Sequence, residues 1–262
     1  MQLIDTHCHL TFESAYGGTG DVEAVVERSK AAGVTRWISV GTDMQENRKA
    51  IALAHRFENM YAAIGIHPHD AKDVTAETIN ELKKLAQNKK VVAIGETGLD
   101  FYYDNSPRNQ QASVFAEHLG LARQLNLPVI IHSRKAFDQT MEILQKSGSG
   151  IEKVVFHCFS GSPDQAKMIL DKGFHISFTG VVTFKNAEKT RQAAKIVPVD
   201  RLMLETDCPY MSPEPMRKQR INEPALMIHT AKCLAGLKEM PLAEFAAAVT
   251  ATSKAFFALP SG

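Results

Sequence analysis

Short apolar, β-branched runs alternate with longer helical stretches from one end of the chain to the other, and this alternation limits the fold more than any other feature. The runs are Leu3–His9, Thr35–Val40, Tyr61–Ile66, Val91–Gly95, Pro128–His132, Lys153–His157, His175–Thr179 and Arg201–Thr206. Between them lie helical patterns at Asp21–Ala32, Gln45–Phe57, Ala76–Asn88, Asn109–Leu125, Ala136–Lys146, Pro163–Lys172 and Ala187–Ile196. Two more, Ala225–Leu237 and Leu242–Phe257, close the chain. Strict strand–helix alternation requires a parallel sheet. Eight such units predict an α/β fold, a single TIM-type (β/α)8 barrel with its site at the C-terminal mouth of the strands. The 262 residues suit that fold, which needs about 250, so one domain spanning 1–262 is expected. No linker or repeat interrupts the pattern. The longest irregular stretch, Tyr210–Pro224, is of a length that marks a functional loop.

A hydrophobic content of 44% supports a packed core, and a net charge of +1 gives no global basic field; a local basic groove stays open. The opening MQLIDTHCHL does not read as a secretory signal, and no apolar run approaches a membrane span. The four cysteines follow no disulfide spacing, and Cys8, Cys158 and Cys208 read as inert packing. A reduced, cytoplasmic setting and a monomer with no obligate protein partner are expected.

Polar residues collect where the runs end. His7 and His9 end the first; alternate residues of a strand share a side, so both imidazoles can face one point. Glu96 follows the fourth run, His132 ends the fifth, His157 ends the sixth and Asp207 follows the eighth. A lone histidine at a strand end is usually a hydrogen-bonded core residue. Four histidines and two carboxylates at the C-terminal ends of five barrel strands are a metal-site pattern, because barrel enzymes keep their chemistry at that rim. Two histidines, a glutamate and an aspartate can hold one cation, and Glu96 has a second oxygen for another cation held by His132 and His157. Four imidazoles favour zinc or manganese, with magnesium possible. Asp5 and Glu205 each precede a ligand by two; either they orient a ligand imidazole or they form salt bridges elsewhere.

The motifs DTHCHL, GIHPH, IGETGLDFYYD, PVIIHSR, HCFSGS and ETDCPYMSP, with a late NEP, resemble the TatD family of metal-dependent hydrolases, within the amidohydrolase superfamily. The resemblance covers Ile4 to about Pro224. It implies two divalent cations, one held by His7, His9, Glu96 and Asp207 and the other by Glu96, His132 and His157. It also implies DNase-like phosphodiester hydrolysis, 3′ to 5′ on single-stranded DNA in some members, and D-aminoacyl-tRNA deacylation in a related branch. Three places depart from the family pattern: His118 stands where Gln is common, Lys135 where an acid is common, and the late loop reads RKQRINEP. None removes a ligand.

Catalysis is assigned to Asp207, as proton acceptor beside the attacking water, and to Glu96. His67, Arg134 and Tyr210 are the candidates for substrate contact, with Tyr102 and Tyr103 as stacking residues and Arg217, Lys218 and Arg220 as a basic lip. Arg134 reaches a phosphate or braces the rim. His69 is a weaker candidate than His67. DNA is the expected substrate. The rival readings are hydrolysis of an amide, ester or lactone by the same metal pair, and a non-catalytic metal-binding barrel.

Overall fold

Every expected strand forms, and the strands follow one another in the sheet in chain order, β1 to β8. They are β1 Leu3–Cys8, β2 Val34–Val40, β3 Met60–Ile64, β4 Val91–Asp100, β5 Val129–Arg134, β6 Val154–Phe156, β7 His175–Phe178 and β8 Leu202–Leu204. The computed structural model describes residues 1–16 and 22–260. Its helices are α1 Glu13–Tyr16, α2 Val22–Ala31, α3 Met44–Arg56, α4 Ala76–Leu85 and α5 Arg108–Leu125 in the first half. The second half adds α6 Phe137–Ser147, α7 Pro163–Asp171, α8 Glu188–Ile196, α9 Met227–Leu237 and α10 Leu242–Phe257. Asp21, the expected start of the first long helix, lies outside the described residues. Parallel pairing and a helix after nearly every strand make this a TIM-type (β/α)8 fold. Among the described residues, no helix is long and apolar enough to cross a membrane.

Local chemistry explains where the helices start. Asp43 caps α3 by accepting from the Glu46 amide at 2.8 Å. Thr75 with Thr78, and Ser162 with Gln165, form reciprocal capping boxes on α4 and α7. Asn126, in the left-handed region, ends α5.

Two compact units divide the chain. One comprises Met1–Ser39 with Cys158–Gly262, the other Val40–His157. In the first, β1 lies beside β8: the Asp207 amide donates to the His7 carbonyl at 2.9 Å, and the His9 amide to the Cys208 carbonyl at 2.8 Å. Leu3, Ile38, Phe178, Phe245 and Phe256 are buried there. In the second, Leu82 of α4 and Phe115 and Leu119 of α5 are buried, and α5 packs against β4.

Register deviates from regular pairing at two informative places. From Asp5 to Cys8, β1 takes three steps while β2 takes two, from Trp37 to Ser39. From Ile94 to Thr97, β4 takes three steps while β5 takes two, from Val129 to Ile131. Each strand therefore carries one extra residue, a bulge, and bulges re-aim side chains. Beyond its bulge β4 continues to Asp100, where the sequence pattern stops it at Gly95. Gly98 makes that continuation possible: a Cβ there would collide with the His132 carbonyl oxygen, and its φ of 139° suits glycine.

Buried polar side chains hold the segment after β3. Asn47 donates to the Gly65 carbonyl at 2.8 Å and accepts from the Gly65 amide at 3.1 Å. His118 accepts from the Ile66 amide at 3.0 Å and donates through Nδ1 to the Val114 carbonyl at 2.7 Å. Those two bonds fix the neutral tautomer, and burial, partly offset by the Val114 bond, pushes its pKa down to about 4 from an ordinary 6.5. A glutamine offers the same donor and acceptor, which explains the exchange at this position.

The unfolded chain takes up the His118 proton at pH values where the folded protein refuses it, so stability contributed by this site falls as pH drops from about 6.5 to about 4, by roughly 3 kcal/mol. Urea unfolding of His118→Gln should show that much less acid sensitivity than the parent. Equal pH dependence in the two proteins refutes the assignment.

Candidate metal centre

Within the first unit, His7 and His9 flank Cys8. Their Nε2 atoms lie 3.3 Å apart, and Asp207 Oδ1 lies 3.7 Å from the first and 3.3 Å from the second. Cys8 turns the other way, its thiol donating to the Ile38 carbonyl at 3.3 Å. Asp207 stands three residues beyond β8 with φ at 53°, a left-handed conformation that a short polar side chain tolerates. His9 is stacked on Phe12, with ring centroids 5.0 Å apart.

Asp5 orients no imidazole. The β1 bulge breaks the alternation that would have placed it beneath His7, and its carboxylate instead accepts from the His7 amide at 3.3 Å, the Thr206 amide at 3.0 Å and the Thr206 hydroxyl at 2.6 Å. Among the described residues it makes no salt bridge; it clasps the backbone at His7 and Thr206. Burial pushes its pKa well up, the nearby Cys208 adding to this and the Thr206 bonds opposing it. Glu205 accepts from the Cys158 amide at 2.6 Å and so grips the main chain just after His157.

The second unit gathers Glu96, His132, His157 and His67. Glu96 Oε1 is 2.6 Å from His132 Nδ1, 2.6 Å from His157 Nε2 and 3.5 Å from His67 Nε2. The two closer nitrogens are themselves 3.3 Å apart. Glu96 sits at the β4 bulge, inside the strand, and His132 lies inside β5. His67 caps a 3-10 turn at Pro68–Asp73, its Nδ1 accepting from the His69 amide at 3.2 Å, which leaves Nε2 toward Glu96. Its place is thus beside the carboxylate that the sequence assigns to a metal.

Asp100 escaped sequence reasoning because the expected strand ended before it. Its Oδ2 lies 3.1 Å from His132 Nε2 and 3.1 Å from His69 Nε2, while Oδ1 accepts from the Tyr102 and Tyr103 amides at 2.9 and 3.0 Å. A carboxylate on the far nitrogen of a ligand imidazole fixes its tautomer and strengthens it as a ligand. The signal was available: Asp100 is four residues from Glu96. Asn222 of the NEP segment was also missed; it donates to the Thr206 and Tyr210 carbonyls at 3.1 and 2.7 Å, bracing the loop that carries Asp207.

The donor chemistry fits a divalent cation. When His132 gives its Nε2 proton to Asp100, its Nδ1 lone pair faces a Glu96 oxygen at 2.6 Å, which repels unless a proton or a cation lies there. Burial opposes charge on Glu96, but His157, His67 and the two short imidazole contacts outweigh it and hold the carboxyl well below its usual range. Burial likewise opposes charge on His132, and Asp100 and Glu96 together outweigh it and raise its pKa. His67 is driven down to about 3, chiefly by burial. Ionised Glu96 and neutral His67 are in the forms that ligate a metal, whereas His132, with its pKa raised, gives up a proton to do so. Among the described residues, His7, His9 and Asp207 form one metal-capable group, and His67, Glu96 and His132 another.

Of the other sequence candidates, Tyr210 is about half exposed (53%) and edge-on to His9 at 6.4 Å. Arg134 is exposed at the end of β5, over Tyr102 and Tyr103. Arg217 lies over the Phe184 ring, 3.9 Å from its centroid, and Arg217, Lys218 and Arg220 are all exposed.

Comparison with known proteins fits this chemistry. A family model described as TatD related DNase matches residues 4–258. The uncharacterized metal-dependent hydrolase YabD of Bacillus subtilis is 42% identical over 97% of this chain and 98% of its own. The 3'-5' ssDNA/RNA exonuclease TatD of Erwinia amylovora is 35% identical over 91% of this chain and 94% of its own. Among solved structures, the TatD homolog YJJV of Escherichia coli K12 superposes with a TM-score of 0.90 at 32% identity, covering 98% of each chain. The chain belongs to the TatD family of metal-dependent hydrolases.

Proposed function

We propose that the protein is a two-metal phosphodiesterase that trims single-stranded DNA from the 3′ end. The observation that carries the reading is the Glu96 carboxylate pressed against two imidazole nitrogens at 2.6 Å, an arrangement that a bound cation satisfies in place of a proton. In a TIM-type barrel the C-terminal strand ends share one rim. By the family pattern, His7, His9, Asp207 and Glu96 would hold one cation, and Glu96, His132 and His157 would hold the other. Zinc or manganese suits the four imidazoles, and magnesium is the third ion to test. When bound, the pair supplies Lewis acidity toward a phosphate oxygen and toward an attacking water.

The chain's own groups do the rest. A carboxylate oxygen of Asp207 accepts the proton of the attacking water. Asp100 holds His132 in one tautomer. His67, neutral at ordinary pH and lodged beside Glu96, offers a hydrogen bond to a phosphate oxygen. Arg134 supplies a cation for a neighbouring phosphate and Tyr210 a surface for the strand. Support for a nucleic-acid substrate comes from the family model and from the relative named for ssDNA/RNA exonuclease activity.

Metal-stripped protein given a 5′-labelled single strand should produce a ladder of shortened products when zinc, manganese or magnesium is returned, and Asp207→Asn should not. No products with any ion, in protein that retains two cations by metal analysis, moves the assignment to amide, ester or lactone hydrolysis. Glu96→Ala should lose at least one bound cation per chain and about three orders of magnitude in turnover, the scale of a lost electrostatic stabiliser. Near-normal turnover by that variant at saturating metal removes the bridging role. Asp100→Asn should weaken metal retention about 10- to 100-fold in a chelator competition while the far-UV spectrum is kept; unchanged retention removes Asp100 from the centre.

A further inference from the structure

Tyr102 and Tyr103 are among the few large apolar side chains left in water, 58% and 54% exposed. Arg134 lies over both, its guanidinium carbon 4.4 Å from one ring centroid and 4.7 Å from the other. The rings meet edge to face, with centroids 4.9 Å apart and planes at 85°. Nearby, Arg108 also lies over an aromatic ring, that of Phe101, but its charge is paired with Asp104 at 3.1 Å. Arg134 makes no ion pair among the described residues. Two exposed rings and an unneutralised planar cation on one surface are the parts that bind a nucleotide: a cation for phosphate and a π-face for the base.

Their attachment matters as much as their chemistry. The amides of Tyr102 and Tyr103 both hang from Asp100 Oδ1, and Oδ2 of the same carboxylate faces His132 and His69. Tyr103 stands edge-on to His69 at 5.4 Å. Arg134 follows His132 by two residues in β5, and its carbonyl accepts from the Phe101 amide at 2.9 Å. The aromatic pair and the guanidinium are therefore built onto the two strands that carry Glu96 and His132.

We propose that Tyr102, Tyr103 and Arg134 form a nucleotide-binding subsite, in which Arg134 binds a phosphate of a single strand and a tyrosine ring stacks one of its bases. This deepens the nuclease reading and rests on it. Stacking on a ring is tolerant of base identity, so the subsite distinguishes a base from no base, not one base from another. A duplex, whose interior bases are covered on both faces, offers fewer free base faces and is disfavoured.

The test measures binding without cleavage. In EDTA, fluorescence anisotropy compares a labelled thymidine oligomer with an abasic oligomer of equal length and equal phosphate count. The parent should prefer the base-containing strand about 10-fold, within the range that base stacking supplies. Tyr102→Ala with Tyr103→Ala should reduce that preference to parity, and Tyr102→Phe with Tyr103→Phe should keep it. Arg134→Gln should weaken both strands alike and lower the salt slope by about one. Equal affinity of the parent for the two oligomers, absence of binding to either, or a preference that survives the double alanine change overturns the subsite. Metal-dependent cleavage without base preference would remove the subsite and leave the hydrolase; base preference without cleavage by any metal would do the reverse.

Discussion

Imidazole nitrogens and a carboxylate oxygen are brought together at hydrogen-bond distance around Glu96, and much of the surrounding structure serves that confinement. In water such groups would drift apart. Here Glu96 is fixed by the extra residue in β4, and His132 by Asp100 behind it. Gly98 lets β4 close on β5 at the level of His132, where any side chain would meet the carbonyl. The same design recurs at His7 and His9, where β1 has its own extra residue and Asp5 ties the His7 amide to Thr206. Each cluster is thus held by backbone irregularity and buried hydrogen bonds, the kind of preorganisation that a metal site needs.

The order of strands and helices was legible because it depends on local pattern: apolar runs of strand length separated by amphipathic stretches. The gathering of histidines and carboxylates at the strand ends was legible for a related reason. Histidine and carboxylate are costly at the end of an apolar strand, so their repeated presence there needs an explanation that metal binding supplies. What the sequence hid is register. A bulge is a relation between two strands, and neither β1 nor β4 announces its extra residue alone. Strict alternation therefore placed Asp5 under an imidazole, when it holds backbone amides, and ended β4 too early, which concealed Asp100.

A second class of residue was hidden because its chemistry is generic. Asn47, Gln111 and His118 are buried amides or amide equivalents whose partners are main-chain groups. Gln111 accepts from the Asp100 amide at 2.9 Å and donates to the Ser106 carbonyl at 2.8 Å, closing the loop after β4 as Asn47 and His118 close the segment after β3. Nothing in an isolated Asn or Gln marks it for such work; the partner is known only once the chain is folded. Satisfying buried backbone groups in this way makes the loops near the ligands stiff, and that stiffness is what a carboxylate beside three imidazoles requires.

Asp100 spends its two oxygens on different tasks, one on imidazoles and the other on the amides of the loop that follows. The loop is consequently not a detachable module. Grafting a foreign loop after β4 to change what the protein grips would also retune the histidine behind the metal, and a library randomised over residues 101–106 would carry a hidden correlation between what is bound and how well the cation is kept. On the proposed function, specificity and metal retention are inherited together through one carboxylate.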